Sequence, residues 1–232
     1  KRLGITEKGI APLESLVFAK YMMFRHIYWH HAVRVAAAMF TRFVQDAVAA
    51  APGIAGWFYD LSDDALIERL IERDDLPSHD LISALADRRL YKRGLTYYPE
   101  HAVGEEEFAL GAPESERVKE LYWRPELRKE KEIAICRLVS GGLKGHEVLL
   151  DIPRVTSVFD LDDFRGLRVL VGSQTGGASR FVPFGSCEFT QLTADFAAEF
   201  ERYSRRLQVV CRPDLRDAVV RLREEIKLIV VG

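Results

Sequence analysis

The stretch from Ala11 to Ala51 constrains the fold more than any other part of this chain. Apolar residues recur there at Leu13, Leu16, Val17, Phe24, Ile27, Tyr28, Val35, Ala38 and Met39. Spacings of three and four residues predict a single long helix. Pro12 suits its first turn and Pro52-Gly53 stops it. About 38 residues rising about 1.5 Å each would make a rod of roughly 57 Å. A rod of that length crosses a whole domain or serves as the spine on which one is built.

The same stretch mixes cations, imidazoles and aromatic rings: Lys20, Arg25, His26, Tyr28, Trp29, His30, His31 and Arg34. Lys20, Phe24, Tyr28 and His31 step by four, four and three, which puts them on one helical face. A cation beside flat rings on a rigid element suits a phosphate and a sugar or base. On spacing alone, the plainer reading is a core helix whose polar residues line its solvent edge.

Composition narrows the function classes. With 232 residues, 48% of them hydrophobic, the chain can form one large domain or two small ones. A formal net charge of -2 argues against a protein devoted to nucleic acid. No run approaches the roughly 18 apolar residues of a membrane span. The first residue is Lys1 and no signal-peptide pattern follows, so the chain reads as a portion of something longer. Cys136, Cys187 and Cys211 are far apart and without metal-ligand spacing, which predicts ordinary buried thiols and a reducing cytoplasm.

Beyond the first stretch, Ser62-Asp63-Asp64 opens a second helix with an apolar stripe at Leu66, Ile67, Leu70 and Ile71. Pro77-Ser78 breaks it and starts a third, with Leu81, Ile82, Leu85 and Ala86 inward and a cationic end before Gly94. Residues 1–93 thus read as helical. Strands are expected at Leu95–Tyr98, Glu132–Val139, Glu147–Ile152, Leu167–Val171, Arg180–Pro183 and Leu207–Cys211. Gly141-Gly142 would join Glu132–Val139 to Glu147–Ile152 as a hairpin, and the loop around Gly176-Gly177 would join the next two strands. Helices are expected from about Pro113 to Lys131, ended or kinked at Pro125, then over Thr193–Tyr203 and from Pro213 towards Lys227. The fold class is α+β, mainly α: a long-helix bundle over 1–93, then a small mixed-sheet lobe with packed helices over 94–232.

The usual chemical motifs are missing. The chain has no dinucleotide glycine fingerprint, no P-loop and no nucleophile elbow. His79-Asp80 has the form of a metal-binding pair, but it stands at a helix start where the helix dipole already explains Asp80. His101 and His146 read as solvent-exposed residues near turns. Arginines near the C-terminus, from Arg202 to Arg223, alternate with acids and read as a surface ion-pair network.

One resemblance is specific. Ala19-Lys20-Tyr21-x-Met23-Phe24-x-x-x-Tyr28-x-His30-His31-x-x-Arg34 resembles the region that follows the metal ligands in HD-superfamily phosphohydrolases, in particular the deoxynucleoside triphosphate triphosphohydrolases. Asp63–Leu70, Leu81–Tyr91 and, more loosely, Val148–Pro153 and Phe189–Val210 continue it. Those enzymes split a dNTP into deoxynucleoside and triphosphate on a divalent metal such as Mg, Mn, Fe or Co. The resemblance implies that the metal-binding HD segment precedes this chain, which would hold neither a metal nor a catalytic residue and would be inactive alone. It also implies that Lys20 reaches the triphosphate, though without the bidentate fork of arginine. Tyr28 would pack on the deoxyribose, with Phe24 and Trp29 beside it. His30 and His31 would lie near a second, regulatory nucleotide between subunits of a homo-oligomer. A non-catalytic nucleotide-sensing or oligomerisation module is the alternative. Single-strand binding through the aromatic-basic helix is a further one, marked by steep salt dependence.

Overall fold

A computed structural model describes residues 4–99, 109–152, 166–172, 179–184, 190 and 206–232. The chain forms two compact units, Lys1–Trp29 with Val155–Arg205, and His30–Arg154 with Arg206–Gly232. The class expected from sequence holds: the molecule is mainly helical, with small mixed sheets.

In the first unit, β1 (Gly4–Thr6) leads into α1 (Ile10–Met23). The three-stranded sheet runs β1-β5-β6. In it, β5 (Arg168–Val171) pairs parallel with β1 and antiparallel with β6 (Arg180–Pro183). The pairing of Leu167–Val171 with Arg180–Pro183 is therefore as expected. Ile10 and Val17 of α1 are buried with Leu167, Val169 and Phe184.

The single rod does not form. After Met23 the chain widens into a π-helical turn over Phe24–Tyr28, closed by Trp29 N–H donating to Phe24 C=O at 2.8 Å. His30 then takes an extended backbone (ψ 133°), and its Nδ1 accepts from Ala32 N–H at 3.4 Å. A new helix, α2 (His31–Ala50), starts there. The break falls where aromatic, β-branched and histidine residues are densest. These are weak helix formers, and a local side-chain acceptor at His30 competes with helix continuation.

In the second unit, α2 is followed by α3 (Trp57–Asp60), α4 (Asp63–Ile71) and α5 (His79–Ala86). Ser62 caps α4 through Ala65 N–H. Next come β2 (Lys92–Pro99), β3 (Ala109–Leu110), α6 (Ala112–Trp123), α7 (Pro125–Val139) and β4 (Val148–Asp151). β7 (Leu207–Cys211), α8 (Arg216–Arg221) and α9 (Arg223–Val231) complete it. Pro125 sits at the first position of α7 and separates it from α6, as expected.

The four-stranded sheet runs β3-β2-β7-β4, with β7 antiparallel to both neighbours. Every residue of β4 and β7 is buried, because both faces of the sheet are covered. Alternation divides the side chains. Val148, Leu150, Leu207, Val209 and Cys211 join the core with α7 and α9; Leu149 and Val210 join the core with α2, α4 and α5. The boundary expected at residue 93 falls inside this unit, within β2. Gly94 lies at a register shift between Arg93 and Leu95, where an added Cβ would stand 2.7 Å from Val219.

Glu132–Val139 is not the first strand of a hairpin; it is the second half of α7. No breaker intervenes between Pro125 and Ser140-Gly141-Gly142, and Glu132, Ile135, Cys136 and Val139 fall at helical spacing onto the sheet. The expected helix at Thr193–Tyr203, the acidic run Glu105–Glu107, the loop at Gly176-Gly177, Cys187 and His101 lie outside the described residues. Among the described residues, no helix is long and apolar enough to cross a membrane.

Candidate functional site

Helix α1 is apolar round its circumference, unlike an ordinary surface helix with one apolar stripe. Its inner face packs on the first sheet. Its outer residues Leu16, Phe18 and Met23, with Ile27 and Tyr28 of the π-helical turn, are exposed, from 47% for Met23 to 68% for Leu16. Lys20 is exposed among them. The expected pocket residues thus fall into two sorts. Phe24 and Trp29 are half-buried against the core of this unit, whereas Lys20 and Tyr28 reach solvent. The π-helical turn still brings rings together: Phe24 lies 4.9 Å from Tyr28 and 5.8 Å, edge-on, from Trp29. Arg25 donates to the Tyr21 hydroxyl at 2.9 Å.

His30 and His31 belong to the other unit, so the six residues expected to serve nucleotides are divided between two bodies. The two rings lie 4.3 Å apart at the start of α2. The His31 imidazole is pushed below its usual range, first by desolvation and then by like charge from His30, Arg93 and Lys92. Four basic groups and a helix N-terminus therefore share one neighbourhood.

The second unit holds a polar cluster that the sequence reading missed. Arg42, 5% exposed, donates to Asp46 at 2.9 Å, to Gly145 C=O at 3.2 Å and to the Glu132 carboxylate. Glu132 also accepts from Leu150 N–H at 2.9 Å. Asp46 accepts from Lys129 and from the Ser78 hydroxyl, each at 2.5 Å. Burial pushes the Asp46 carboxyl up, but the hydrogen bonds from Lys129, Ser78 and Arg42 outweigh it and hold it below the usual carboxylate range. Arg34 grips Asp151 through both carboxylate oxygens and donates to Ile152 C=O.

His146 is not the solvent-exposed residue expected. It is 5% exposed, with Nδ1 3.2 Å from Ser78 Oγ and Nε2 2.9 and 3.0 Å from the two Asp80 oxygens. The His146 hydrogen bond holds the Asp80 carboxyl below its ordinary range. Asp80 does stand in the first turn of α5, but the helix dipole is only part of its role. His79 instead makes its ring contact to Ile71 C=O, at 2.7 Å. Nothing local signals the pair, since its members are 66 positions apart. Near the C-terminus the interleaved charges do pair: Arg212 with Asp214 and Glu147, and Arg223 with Glu224.

Among the described residues, no group of three or more His, Cys, Asp or Glu side chains could hold a metal ion. The described residues therefore offer no ligand set for the divalent ion of HD-type enzymes.

The fold and these sites define an α+β region that carries an exposed apolar helix. The chain belongs to the family described as the HD associated region, whose model matches residues 1–164, and this links it to HD-domain proteins. Among curated proteins no match was found.

Proposed function

We propose that this chain is the accessory region of an HD-type phosphohydrolase acting on a deoxynucleoside triphosphate, dGTP-like in character. In this reading α1 and the turn after it form one wall of the substrate pocket, and the HD segment supplies the metal and the water-activating chemistry. One observation carries it: Lys20 on the apolar helix and Tyr28 in the turn after it are exposed, and the Tyr28 ring packs 4.9 Å from Phe24. A sealed interior position for either residue would have ended the idea. Lys20 would attract phosphate and Tyr28 would lie flat on the sugar.

The test uses the HD-domain polypeptide that carries this region, with Mn2+ and dGTP and with released triphosphate as readout. Lys20→Ala and Tyr28→Ala are expected to lower kcat/KM by about 10- to 100-fold with unchanged thermal unfolding. Unchanged kinetics in both variants would reject the assignment. This chain by itself is expected to show no turnover of dGTP.

A second reading, a nucleotide-sensing module, is favoured by the basic neighbourhood of His30, His31, Lys92 and Arg93. An anion bound there would relieve the like-charge repulsion and raise the His31 pKa. An NMR titration of the His31 ring with and without inorganic triphosphate checks this. An unmoved titration curve would dismiss it. In the same reading the functional form is a homo-oligomer in the cytoplasm, with nucleotide between subunits.

A further inference from the structure

Ser78 is one of two non-glycine residues with a left-handed backbone among those described, at φ 56°. It stands at the N-cap of α5, where a serine ordinarily turns its hydroxyl onto its own helix. Here no such cap bond forms. The hydroxyl faces His146 Nδ1 and Asp46 instead, and the far side of the imidazole is held by Asp80. Strained backbone at a polar, partly open position points towards function rather than stability. Two open clefts, of about 480 and 530 Å3, flank the group, and Ser78, Lys144 and His146 line both.

We propose that Ser78, His146 and Asp80 form a hydroxyl-nucleophile site for small acyl esters, independent of the HD-type reading. Nucleophile, base and base-orienting carboxylate lie in sequence at hydrogen-bond distances. The imidazole is turned round relative to the usual serine triad, with Nδ1 rather than Nε2 towards the hydroxyl. Ser78 Oγ attacks the ester carbonyl carbon and its proton passes to His146 Nδ1, while Nε2–H stays donated to Asp80. The tetrahedral intermediate collapses with cleavage of the ester C–O bond, and the alcohol leaves with the proton from Nδ1. Water repeats the sequence on the acyl-serine, releasing the carboxylic acid and restoring Ser78. Lys144, exposed at the meeting of the clefts, and the positive end of α5 are placed to favour the oxyanion. Asp46 competes with His146 for the serine proton, so deprotonation requires the hydroxyl to rotate from one acceptor to the other.

The experiment treats the purified chain with a fluorophosphonate probe and maps the adduct by peptide mass spectrometry, with p-nitrophenyl acetate hydrolysis in parallel. The expected result is one adduct, on Ser78, absent in Ser78→Ala. Asp80 is a positioning residue with a half-exposed side chain, so Asp80→Asn should remain folded. It is expected to slow labelling more than about tenfold, with partial rescue by Asp80→Glu. No adduct on the wild-type chain, or labelling of Ser78 at full rate in Asp80→Asn, overturns the proposal. If Ser78→Ala fails to fold, the Asp80 pair decides the matter.

Discussion

Helices α1 and α2 are consecutive in the chain, yet they meet the burial problem in opposite ways. α2 has a buried stripe at Val35, Met39, Phe43 and Ala47, and next to it carries Arg42 and Asp46 into the interior. Those charges are buried because Glu132, Lys129, Ser78 and Gly145 C=O receive them. α1 does the reverse: it buries Ile10 and Val17 and leaves large apolar side chains in water. A buried charge that is fully partnered is a mark of a finished interior. An uncovered apolar helix is a mark of an unfinished surface. The second unit is thus organised by its own core, and the first carries large apolar side chains on an exposed helix face.

The largest expected effect tests the finished side. Arg42→Ala would leave Glu132 buried without its cation and is expected to cost about 3–5 kcal/mol of unfolding free energy, measured by urea titration. A loss below about 1 kcal/mol would show that this cluster is not what ties α2 to α7. Gly94→Val comes next. Its added carbons would meet Val219 beneath the bulge, for a cost of about 1–3 kcal/mol in thermal unfolding, and an unchanged melting temperature would contradict the close approach.

Acid dependence is a smaller, directional effect. The Asp46 and Asp80 carboxyls titrate below their ordinary values in the folded chain. Their contribution is complete above the unfolded value of about 3.9 and is lost as pH falls through the lower folded values. Asp46→Asn should therefore flatten the acid limb of a stability-against-pH curve; an equally steep limb would mean that other carboxylates govern it. The smallest effect belongs to α1. Leu16→Ser is expected to change unfolding free energy by no more than about 0.5 kcal/mol, and a loss several times larger would show that this face is already covered within the chain.

Much of the architecture was legible because it rests on local patterns. The Ser62 cap, the helix break at Pro125 and the apolar, strand-like run at Leu207–Cys211 each announce themselves within a few residues. The break at His30 was harder. Its apolar spacing continues through the interruption, and only the weak helix propensity of Phe24–His31 hints at it. Glu132–Val139 misled for a related reason: Ile133, Ile135 and Val139 suit a strand, and the contacts that favour a helix come from the sheet beneath. In the candidate sites, Lys20, Phe24, Tyr28 and Trp29 were singled out by a motif, which needs only neighbouring positions. His146 with Asp80 and Ser78 was not, because no motif joins residues on separate elements.

The sequence by itself determined the class of fold and the start or stop of elements marked by a cap or a breaker, such as Ser62 and Pro125, since periodicity, capping and breakers act over one or two turns. Only the tertiary structure decided which polar groups are buried. Arg42, Glu132 and His146 look like surface residues in the sequence, and whether such a group can leave water depends on partners that folding brings from tens of residues away.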